Sequence, residues 1–343
     1  MPKQKTITIK DVAKRSNVSI STVSRVLNKK NRLVNPETRK RVLDVIDELG
    51  YYPNAMARSL HSNKTRTIGM IVQDIANPYY PSIVKSVENT AQKWGYSIIL
   101  ANAERSRLRT SKYLKIMCEK RVDGLILIGG GIVQDAEEQD FLERTGVKIM
   151  VIGKPHNTKL ASVQIKNIEA AREACTYLIG LGHRRIAMIT GTDDSATAVD
   201  RTQGYREALE ANGLPFNKEW VISGDFDFKG GYSAAEKLSQ IGGKNGITAI
   251  FAQNDMMAIG AMKALQKKGY RIPQDVSILG FDDIQAASFV TPTLATVAVP
   301  LEELGSTAME NLVKLLNGDK LDRPTYLQTE IKHRESLSRC SLS

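Results

Sequence analysis

Short apolar runs alternate with amphipathic segments from residue 67 onward, and this alternation constrains the fold more than any other feature of the chain. The runs predicted to be strands are Thr67–Val72, Ser97–Asn102, Gly124–Ile128, Lys148–Ile152, Arg185–Thr190, Trp220–Ser223, Ala249–Ala252 and Val276–Phe281. The segments predicted to be helices include Ser82–Trp94, Glu169–Leu181, Arg201–Asn212, Gly231–Gln240 and Met256–Lys268. Such alternation predicts α/β architecture, with parallel sheets covered by helices on both faces. Because the 277 residues after Arg66 are long for one sheet, we expect two similar lobes.

Most of the net positive charge lies in the first 66 residues. They contain fifteen Lys and Arg against five Asp and Glu, a net charge of +10, whereas residues 67 to 343 hold 33 and 32. The chain therefore combines a small basic head with a nearly neutral body. A duplex releases counterions when protein cations replace them at its phosphates, so a dense basic head is typical of a nucleic-acid-binding protein.

Apolar residues in the head recur at helical spacing in three segments. The three sets are Ile9, Val12 and Ala13, then Val23, Val26 and Leu27, and finally Val42, Val45, Ile46 and Leu49. Asn17 suits the left-handed conformation of a tight turn, and Ser19 suits the N-cap of the second helix. Pro36 stands in the first turn of the third helix, and Gly50 ends it. Residues 1–52 are thus predicted to form an all-α helix-turn-helix domain with a supporting helix.

The predicted second helix carries the residues expected to contact DNA. Its polar side is short, hydroxyl-rich and basic, which suits close approach to phosphates and base edges. That side comprises Ser19, Ser21, Thr22, Ser24, Arg25 and Asn28. Ile20 is apolar at the exposed start of the helix, where contact with a thymine methyl group would explain it. A helical bundle without a DNA role also fits the helix pattern, but it leaves the charge asymmetry unexplained.

This head resembles the DNA-binding region of the lactose-repressor/galactose-repressor (LacI/GalR) family of bacterial transcription regulators. Ile20 and Ser21 match the family's base-reading positions, and Arg25 is similar to a flanking contact. The resemblance continues through Tyr52–Leu60, so residues 53–66 are expected to form the family's hinge helix and a polar linker. In that family two hinge helices press a leucine into the minor groove, which Leu60 would do here; packing of a linker helix is the alternative. The further DNA contacts that the resemblance implies are Thr8, Arg32, Asn54, Ala57 and Leu60.

Polar and aromatic residues follow several of the predicted strands. They occur in Gln73–Tyr80, Gly224–Phe226, Gln253–Asp255 and Gly280–Asp283, and Arg201 follows the loop Gly191–Val199. Ligands of open parallel sheets bind beyond the carboxyl ends of the strands, so these residues are candidates for one site. Carboxylate, amide and guanidinium groups beside aromatic rings suit a polyhydroxylated sugar. Each residue alone is more often a cap or loop residue, and only their shared placement indicates a site.

The resemblance to the LacI/GalR family covers the body too, which is similar to a periplasmic sugar-binding protein with two Rossmann-like lobes. It implies an effector-binding and dimerisation domain over residues 67–343, with Ala295–Pro300 as a late crossover between lobes. The first lobe would take about 67–164 and 295–326, and the second about 165–294 and 327–343. Carried over position by position, the effector-binding residues are Asp74, Asn77, Tyr80, Arg201, Phe226, Asn254 and Asp282.

Two departures from the family pattern bear on the ligand. Lys166 precedes Asn167 where family members commonly have aspartate, and the loop Glu104–Arg109 is basic where many relatives are acidic. A cation near the cleft favours an anionic ligand. We therefore expect an acidic or phosphorylated sugar rather than a neutral one, with the alternative that Lys166 points into solvent.

Catalysis and export are the rival classes of function. The histidines His61, His156, His183 and His333 lack carboxylates or cysteines at triad or metal-site spacing, so we expect no catalytic residues, metal or cofactor. An exported solute-binding protein would begin with an apolar signal segment, whereas the first ten residues are basic, and no apolar run reaches membrane-spanning length. The three widely spaced cysteines are typical of reduced thiols. We expect a bacterial cytoplasmic protein that is associated with the nucleoid when bound.

The sequence thus predicts a sequence-specific DNA-binding transcription regulator that is not an enzyme. We expect a homodimer that represses a carbohydrate-utilisation operon from a near-palindromic double-stranded operator, under allosteric control by a small sugar-like effector. The alternatives are a cytoplasmic carbohydrate-binding sensor that acts through a protein partner, or a regulator that activates or depends on a co-repressor. The residues after Leu337 lack a heptad pattern, which favours a dimer over a tetramer.

Overall fold

The chain divides into two compact units, Met1–Thr65 and Arg66–Ser343, which we call the head and the body. The computed structural model describes residues 7–27, 34–52, 64–129, 136–155, 159–241, 246–321 and 324–340, with the backbone alone for 136–139. Among these residues no helix is both long and apolar enough to cross a membrane.

The described part of the head contains three helices around a small apolar core. They are α1 (Ile9–Arg15), α2 (Ile20–Leu27) and α3 (Pro36–Leu49). Val12, Val23 and Val42 are fully buried where the three helices meet. The predicted turn is confirmed, because Asn17 has a φ of 53° and the Ser19 hydroxyl accepts a hydrogen bond from the Thr22 amide at 3.2 Å. The helix-turn-helix follows from this turn chemistry and from the helical spacing of the apolar residues.

The body contains two six-stranded sheets, each covered by helices. The elements of the first part are β1 (Thr67–Val72), α4 (Tyr79–Lys93), β2 (Ser97–Asn102), α5 (Arg107–Glu119), β3 (Gly124–Ile128), α6 (Ala136–Thr145), β4 (Lys148–Ile152) and β5 (Ala161–Ile165). Those of the middle are α7 (Asn167–Gly180), β6 (Ile186–Thr190), α8 (Ala196–Ala211), β7 (Val221–Ser223), α9 (Phe228–Leu238), β8 (Ala249–Ala252), α10 (Asp255–Lys267) and β9 (Ser277–Asp282). The last are β10 (Ala295–Ala298), α11 (Leu301–Leu316), β11 (Thr325–Leu327) and β12 (Glu330–Lys332).

The two sheets share one topology. The strand order is β11-β5-β4-β3-β1-β2 in the first sheet and β12-β10-β9-β8-β6-β7 in the second. Neighbouring strands are parallel except β10 and β12, which pair antiparallel. We call the first sheet with its helices the first lobe, and the second sheet with its helices the second lobe. The expected α/β body of two similar lobes is therefore confirmed, and the carboxyl ends of the parallel strands in each lobe are available to position a site.

The late crossover lies a few residues further along the chain than expected. The sequence placed Ala295–Pro300 in the passage to the first lobe, but β10 pairs in parallel with β9 and belongs to the second sheet. The chain crosses only after β10, and α11 then packs on α4 in the first lobe. It crosses back between β11 and β12. The predicted return to the first lobe at residue 295 is therefore wrong by several residues. The sequence pattern of a four-residue strand is too short to distinguish it from a connecting segment.

Gly204→Ala is expected to destabilise the body through the packing of α8 on α7. A Cβ on Gly204 would lie 2.2 Å from the carbonyl oxygen of Ile168 and 2.8 Å from the amide nitrogen of Arg172. Because these are backbone atoms, the two helices would have to separate, and we expect a loss of about 1–3 kcal/mol in the free energy of unfolding. Urea denaturation measures it.

Gly180→Ala is the matched control for that substitution. Gly180 is the last residue of α7, and no atom lies within 4 Å of its Cβ position. Alanine there is expected to leave stability unchanged or to raise it by up to about 1 kcal/mol, because glycine is the poorer helix former. Equal losses for the two variants would contradict a close contact between the helices.

Candidate functional site

The exposed side of α2 presents most of the predicted DNA contacts. Ile20 is 45% exposed although it is apolar, and Ser21 and Arg25 are exposed beside it. The Ser19 hydroxyl is 2.8 Å from that of Ser21 and 2.9 Å from that of Thr22. These contacts tie the three hydroxyl groups together at the start of the helix. The opposite side of α2 is buried in the head, so its exposed residues have no packing role there.

The other predicted DNA contacts are placed differently. Thr8 is exposed at the start of α1, where its amide and its hydroxyl both donate to the Asp11 carboxylate, at 2.8 and 2.7 Å. Ser24 lies half-buried on α2. Five predicted contacts lie outside the described residues: Asn28, Arg32, Asn54, Ala57 and Leu60.

A cavity of about 420 Å³ lies between the two lobes of the body. Its walls are formed mainly by residues that follow the carboxyl ends of strands, from β1 to β4 in the first lobe and from β6 to β9 in the second. Six predicted effector residues line it: Asn77, Tyr80, Arg201, Phe226, Asn254 and Asp282. The structure thus brings together side chains that are up to 205 positions apart in the sequence.

Asp74 and Lys166 do not line this cavity. The Asp74 carboxylate accepts a hydrogen bond from the Ala76 amide at 3.0 Å, so it shapes the loop after β1. The Lys166 ammonium lies 3.6 Å from the Glu169 carboxylate and 5.9 Å from the centre of the Tyr326 ring. Any cationic character of the cavity therefore comes from other residues.

Arg201 is the central polar residue on the second-lobe wall. It is 5% exposed, and its guanidinium lies 3.5 Å above the centre of the Phe281 ring. Nε donates to the Asn167 side chain at 2.9 Å, Nη1 donates to the carbonyl oxygen of Gln253, and Nη2 lies 3.8 Å from the Asp282 carboxylate. These contacts fix one orientation of the guanidinium. Arg201 belongs to helix α8 and lines the cavity.

Amide side chains hold the neighbouring wall in place. The buried Gln253 side chain accepts from the Gly191 amide at 3.0 Å and donates to the Thr202 hydroxyl at 3.0 Å. Asn254 accepts from the Met257 amide at 2.9 Å, which caps α10, and donates to the carbonyl oxygen of Phe226 at 3.1 Å. Within the described part of the chain, no buried side-chain nitrogen or oxygen lacks a hydrogen-bond partner. The wall is therefore organised before any ligand binds.

Two polar contacts join the lobes at the cavity. Arg105 Nη1 donates to the carbonyl oxygen of Asp225 at 2.7 Å, and Lys154 Nζ lies 2.9 Å from the Asp200 carboxylate. Arg105 and Asp225 both have positive φ angles, 56° and 53°. These loops follow β2 and β7, which occupy equivalent edges of the two sheets, so matching loops of the two lobes meet over the cavity.

Sequence reasoning did not single out every residue of the cavity wall. Gln73 and Tyr79 lie in the predicted segment Gln73–Tyr80 but were not among the assigned effector contacts, and the additional polar residues are Arg105, Ser106, Arg107, Thr110, Thr192, Asp194, Ser195 and Thr197. Thr192 stands two residues after the end of β6, and this position is the signal that could have identified it. Arg105 and Arg107 were expected only as part of a basic loop, yet Arg107 begins α5, a helix that the sequence did not predict.

Burial sets the protonation of Asp282. It raises the pKa of this carboxyl to about 7, although the Arg201 guanidinium acts in the opposite direction. The neighbouring Asp255 carboxylate, which accepts from the Thr296 hydroxyl at 2.6 Å, also has a raised pKa because of burial. Near neutral pH the cavity therefore holds a carboxyl group that can both donate and accept hydrogen bonds.

The contribution of Asp282 to the stability of the body should fall as pH rises from about 4 to about 7. A carboxyl whose pKa is raised on folding keeps a proton that the unfolded chain releases, so its stabilising contribution is full below pH 4 and is lost as pH passes the folded pKa. Asp282→Asn should flatten this dependence in melting temperatures measured at pH 5 and pH 8. Asp74→Asn, outside the cavity, should keep the slope of the unchanged protein. Equal slopes for all three proteins would contradict the role given to Asp282.

Among the residues that the structure describes, the site shows no arrangement for nucleophilic or metal chemistry. The three cysteines are free, and Cys175 is buried, which raises the pKa of its thiol to about 12. No group of three or more histidine, cysteine or acidic residues within the described ranges could hold a metal ion. The cavity offers hydrogen-bond donors, acceptors and aromatic rings, which are suited to binding a polar small molecule.

Comparison with known proteins agrees with this organisation. Residues 8–54 match the family described as bacterial regulatory proteins, lacI family, and residues 175–337 match the periplasmic binding protein-like domain. The chain is 36% identical over 333 residues to catabolite control protein A of Priestia megaterium, with 96% of this chain and 99% of that protein covered. It is 37% identical over 325 residues to the ribose operon repressor of Escherichia coli K12, with 95% and 96% covered.

A solved structure extends the comparison to a DNA complex. The lac repressor dimer bound to operator and the anti-inducer ONPF is 27% identical to this chain and has a TM-score of 0.83. The alignment covers 97% of this chain and 99% of the repressor chain. The head and the body thus both have counterparts in one family of proteins that control transcription and are not enzymes. With relatives of this identity along almost its whole length, the chain belongs to the lacI family of bacterial regulatory proteins.

Proposed function

We propose that this regulator represses carbohydrate-utilisation genes in the bacterial cytoplasm and that a sugar-like effector in the cavity sets its affinity for operator DNA. In this proposal the exposed side of α2 reads the operator, and a homodimer binds two half-sites. Arg201, Asn254 and Asp282 bind effector hydroxyl groups, while Tyr80 and Phe226 supply aromatic surface.

The observation that carries the proposal is the joint construction of the cavity by both lobes. A ligand that contacts Tyr80 in the first lobe and Arg201 in the second is bound best when the lobes are close together. Ligand binding therefore favours one arrangement of the lobes, and such a bias is the physical requirement for allosteric control.

Two relatives support the choice of sugar and operator. One relative is a ribose operon repressor, and the structural neighbour is a dimer bound to operator and to a small molecule. The residue types at the cavity agree with a polyhydroxylated ligand, because hydroxyl groups both donate and accept hydrogen bonds. The sign of control depends on which lobe arrangement binds DNA more tightly, so the same site serves an inducer or a co-repressor.

Footprinting of chromosomal DNA in the source bacterium tests the proposal. We expect a small number of near-palindromic sites beside genes for the uptake or breakdown of carbohydrates. Growth on the sugar of those genes should change occupancy of the sites. Binding spread over the chromosome without a shared motif would contradict the reading of operator sequence by α2, and occupancy that no carbon source changes would contradict the role of the cavity.

A further inference from the structure

The charged groups on the cavity wall are unevenly divided between the lobes. On the first-lobe wall, the described lining residues include Arg105 and Arg107 and no carboxylate. On the second-lobe wall they include Asp194, Arg201 and Asp282. One side of the cavity is therefore cationic, and the other carries both signs of charge.

Among the described lining residues of the second lobe, one cation, Arg201, is opposed by two acidic residues, Asp194 and Asp282. The Arg201 guanidinium and the Asp282 carboxylate are 3.8 Å apart and almost fully buried. Asp194 is exposed at the rim. Since charges close together in a poorly solvated site compensate one another, the net positive potential is expected on the first-lobe side.

Arg105 is held where it can meet a ligand. Its Nη1 bond to the carbonyl oxygen of Asp225 uses one donor of a guanidinium that has five N–H groups. This bond draws the side chain across the cavity toward the second lobe. An anion at Arg105 would therefore contact a group that already joins the two lobes.

Hydroxyl groups and a helix start complete this wall. Ser106 caps the 13-residue helix α5 by accepting from the Arg109 amide at 3.4 Å, and the Thr110 hydroxyl donates to the carbonyl oxygen of Ser106 at 3.1 Å. Both residues line the cavity beside Arg105 and Arg107. The start of a helix attracts negative charge. Here this attraction adds to the attraction exerted by the two guanidinium groups.

We propose that the effector is an anionic sugar, a sugar phosphate or a sugar acid, whose negative group binds Arg105 and Arg107 on the first lobe. Its hydroxyl groups lie against Arg201, Asn254 and Asp282 on the second lobe. The inference rests on the proposed function, because it names the class of ligand for the same cavity. Guanidinium groups bind phosphate and carboxylate through paired, charge-assisted hydrogen bonds, which neutral sugars cannot form.

Thermal shift of the full chain with matched sugars tests the inference. The panel pairs common hexoses and pentoses with their phosphates and with their acids, for example glucose, glucose 6-phosphate and glucuronate. We expect at least one anionic sugar to raise the melting temperature, while its neutral parent at the same concentration does not. Whether the stabilising member is a phosphate or an acid identifies the negative group.

Substitutions assign the effect to the first-lobe wall. In R105Q/R107Q the apparent Kd of the stabilising sugar should rise by at least about tenfold, because charge-assisted hydrogen bonds are lost. The matched control is K112Q/K115Q, which removes two exposed cations of α5 outside the cavity lining and should keep the affinity of the unchanged protein. These variants also show whether general surface charge explains binding.

The outcomes separate this inference from the proposed function. Equal stabilisation by a neutral parent, or unchanged affinity in R105Q/R107Q, would overturn the anionic effector and leave sugar binding in the cavity standing. If no sugar of the panel, charged or neutral, stabilises the protein, both the inference and the cavity's proposed role are overturned.

Discussion

Arg201→Ala is expected to lower the free energy of unfolding of the body by about 3–5 kcal/mol, because it breaks a buried ion pair from one side. The substitution removes the cation that opposes the raised pKa of the buried Asp282 carboxyl, so this group must take up a proton to stay buried. It also removes the hydrogen bonds to Asn167 and to the carbonyl oxygen of Gln253 and the packing on the Phe281 ring. Each of these groups was desolvated by folding and would lose its partner.

Urea denaturation of the purified full chain measures this loss. Arg206→Ala is the control, since Arg206 lies on the same helix but is exposed and packs only its guanidinium on Phe216. We expect a loss of no more than about 1 kcal/mol there. Arg201→Lys should lie between the two, because it keeps the charge. Similar small losses of unfolding free energy in all three variants would show that the buried contacts of Arg201 do not stabilise the body.

The expected destabilisation changes how effector response is tested. From the sequence alone, Arg201→Ala or Asp282→Ala would remove effector response and leave operator affinity intact. The buried contacts predict that Arg201→Ala also weakens the fold. Asp282→Asn is the cleaner variant, because it keeps shape and a hydrogen-bonding group while it removes the charge.

Arg25→Ala is expected to weaken operator binding by about 5- to 150-fold, since one lost contact of a DNA-reading guanidinium corresponds to about 1–3 kcal/mol. Arg25 is exposed on the side of α2 that carries Ile20 and Ser21. If it contacts a phosphate, the slope of log K against log salt should also become shallower by about 1.

Fluorescence anisotropy at several salt concentrations measures both quantities. Arg271→Ala removes the same charge from the body, where Arg271 is exposed and paired with Asp275. It should leave operator affinity unchanged. An equal loss for both variants would mean that net charge alone drives binding, and no loss for Arg25→Ala would remove α2 from the interface.

The head was predictable because its signals are local. The left-handed Asn17, the cap at Ser19, the start at Pro36 and the end at Gly50 each depend on a few neighbouring residues. In the body, apolar runs of five or six residues gave the bounds of β1 to β4 correctly. The short strands β10 to β12 depend on pairing with distant segments, so their sequences alone do not identify them.

The cavity could be predicted only in part. The rule that ligands bind beyond the carboxyl ends of parallel strands led to the segments that contain Asn77, Asn254 and Asp282, and the family resemblance singled out these residues within them. The rule does not predict that the Asp74 carboxylate accepts a hydrogen bond within its own loop, because this contact depends on the conformation of the loop. Nor could it find the hydrogen bonds that Gln253 makes to three other segments, because these depend on distances that only the folded chain defines.

The most direct test of the account is the preference of the full chain for one duplex sequence. The measurement compares the Kd of a footprinted site with that of a scrambled duplex of the same length and composition, at about 0.15 M salt. The account predicts at least about a 1,000-fold preference for the footprinted site. Equal affinity for the two duplexes would contradict it, because the basic head would then bind DNA by charge alone.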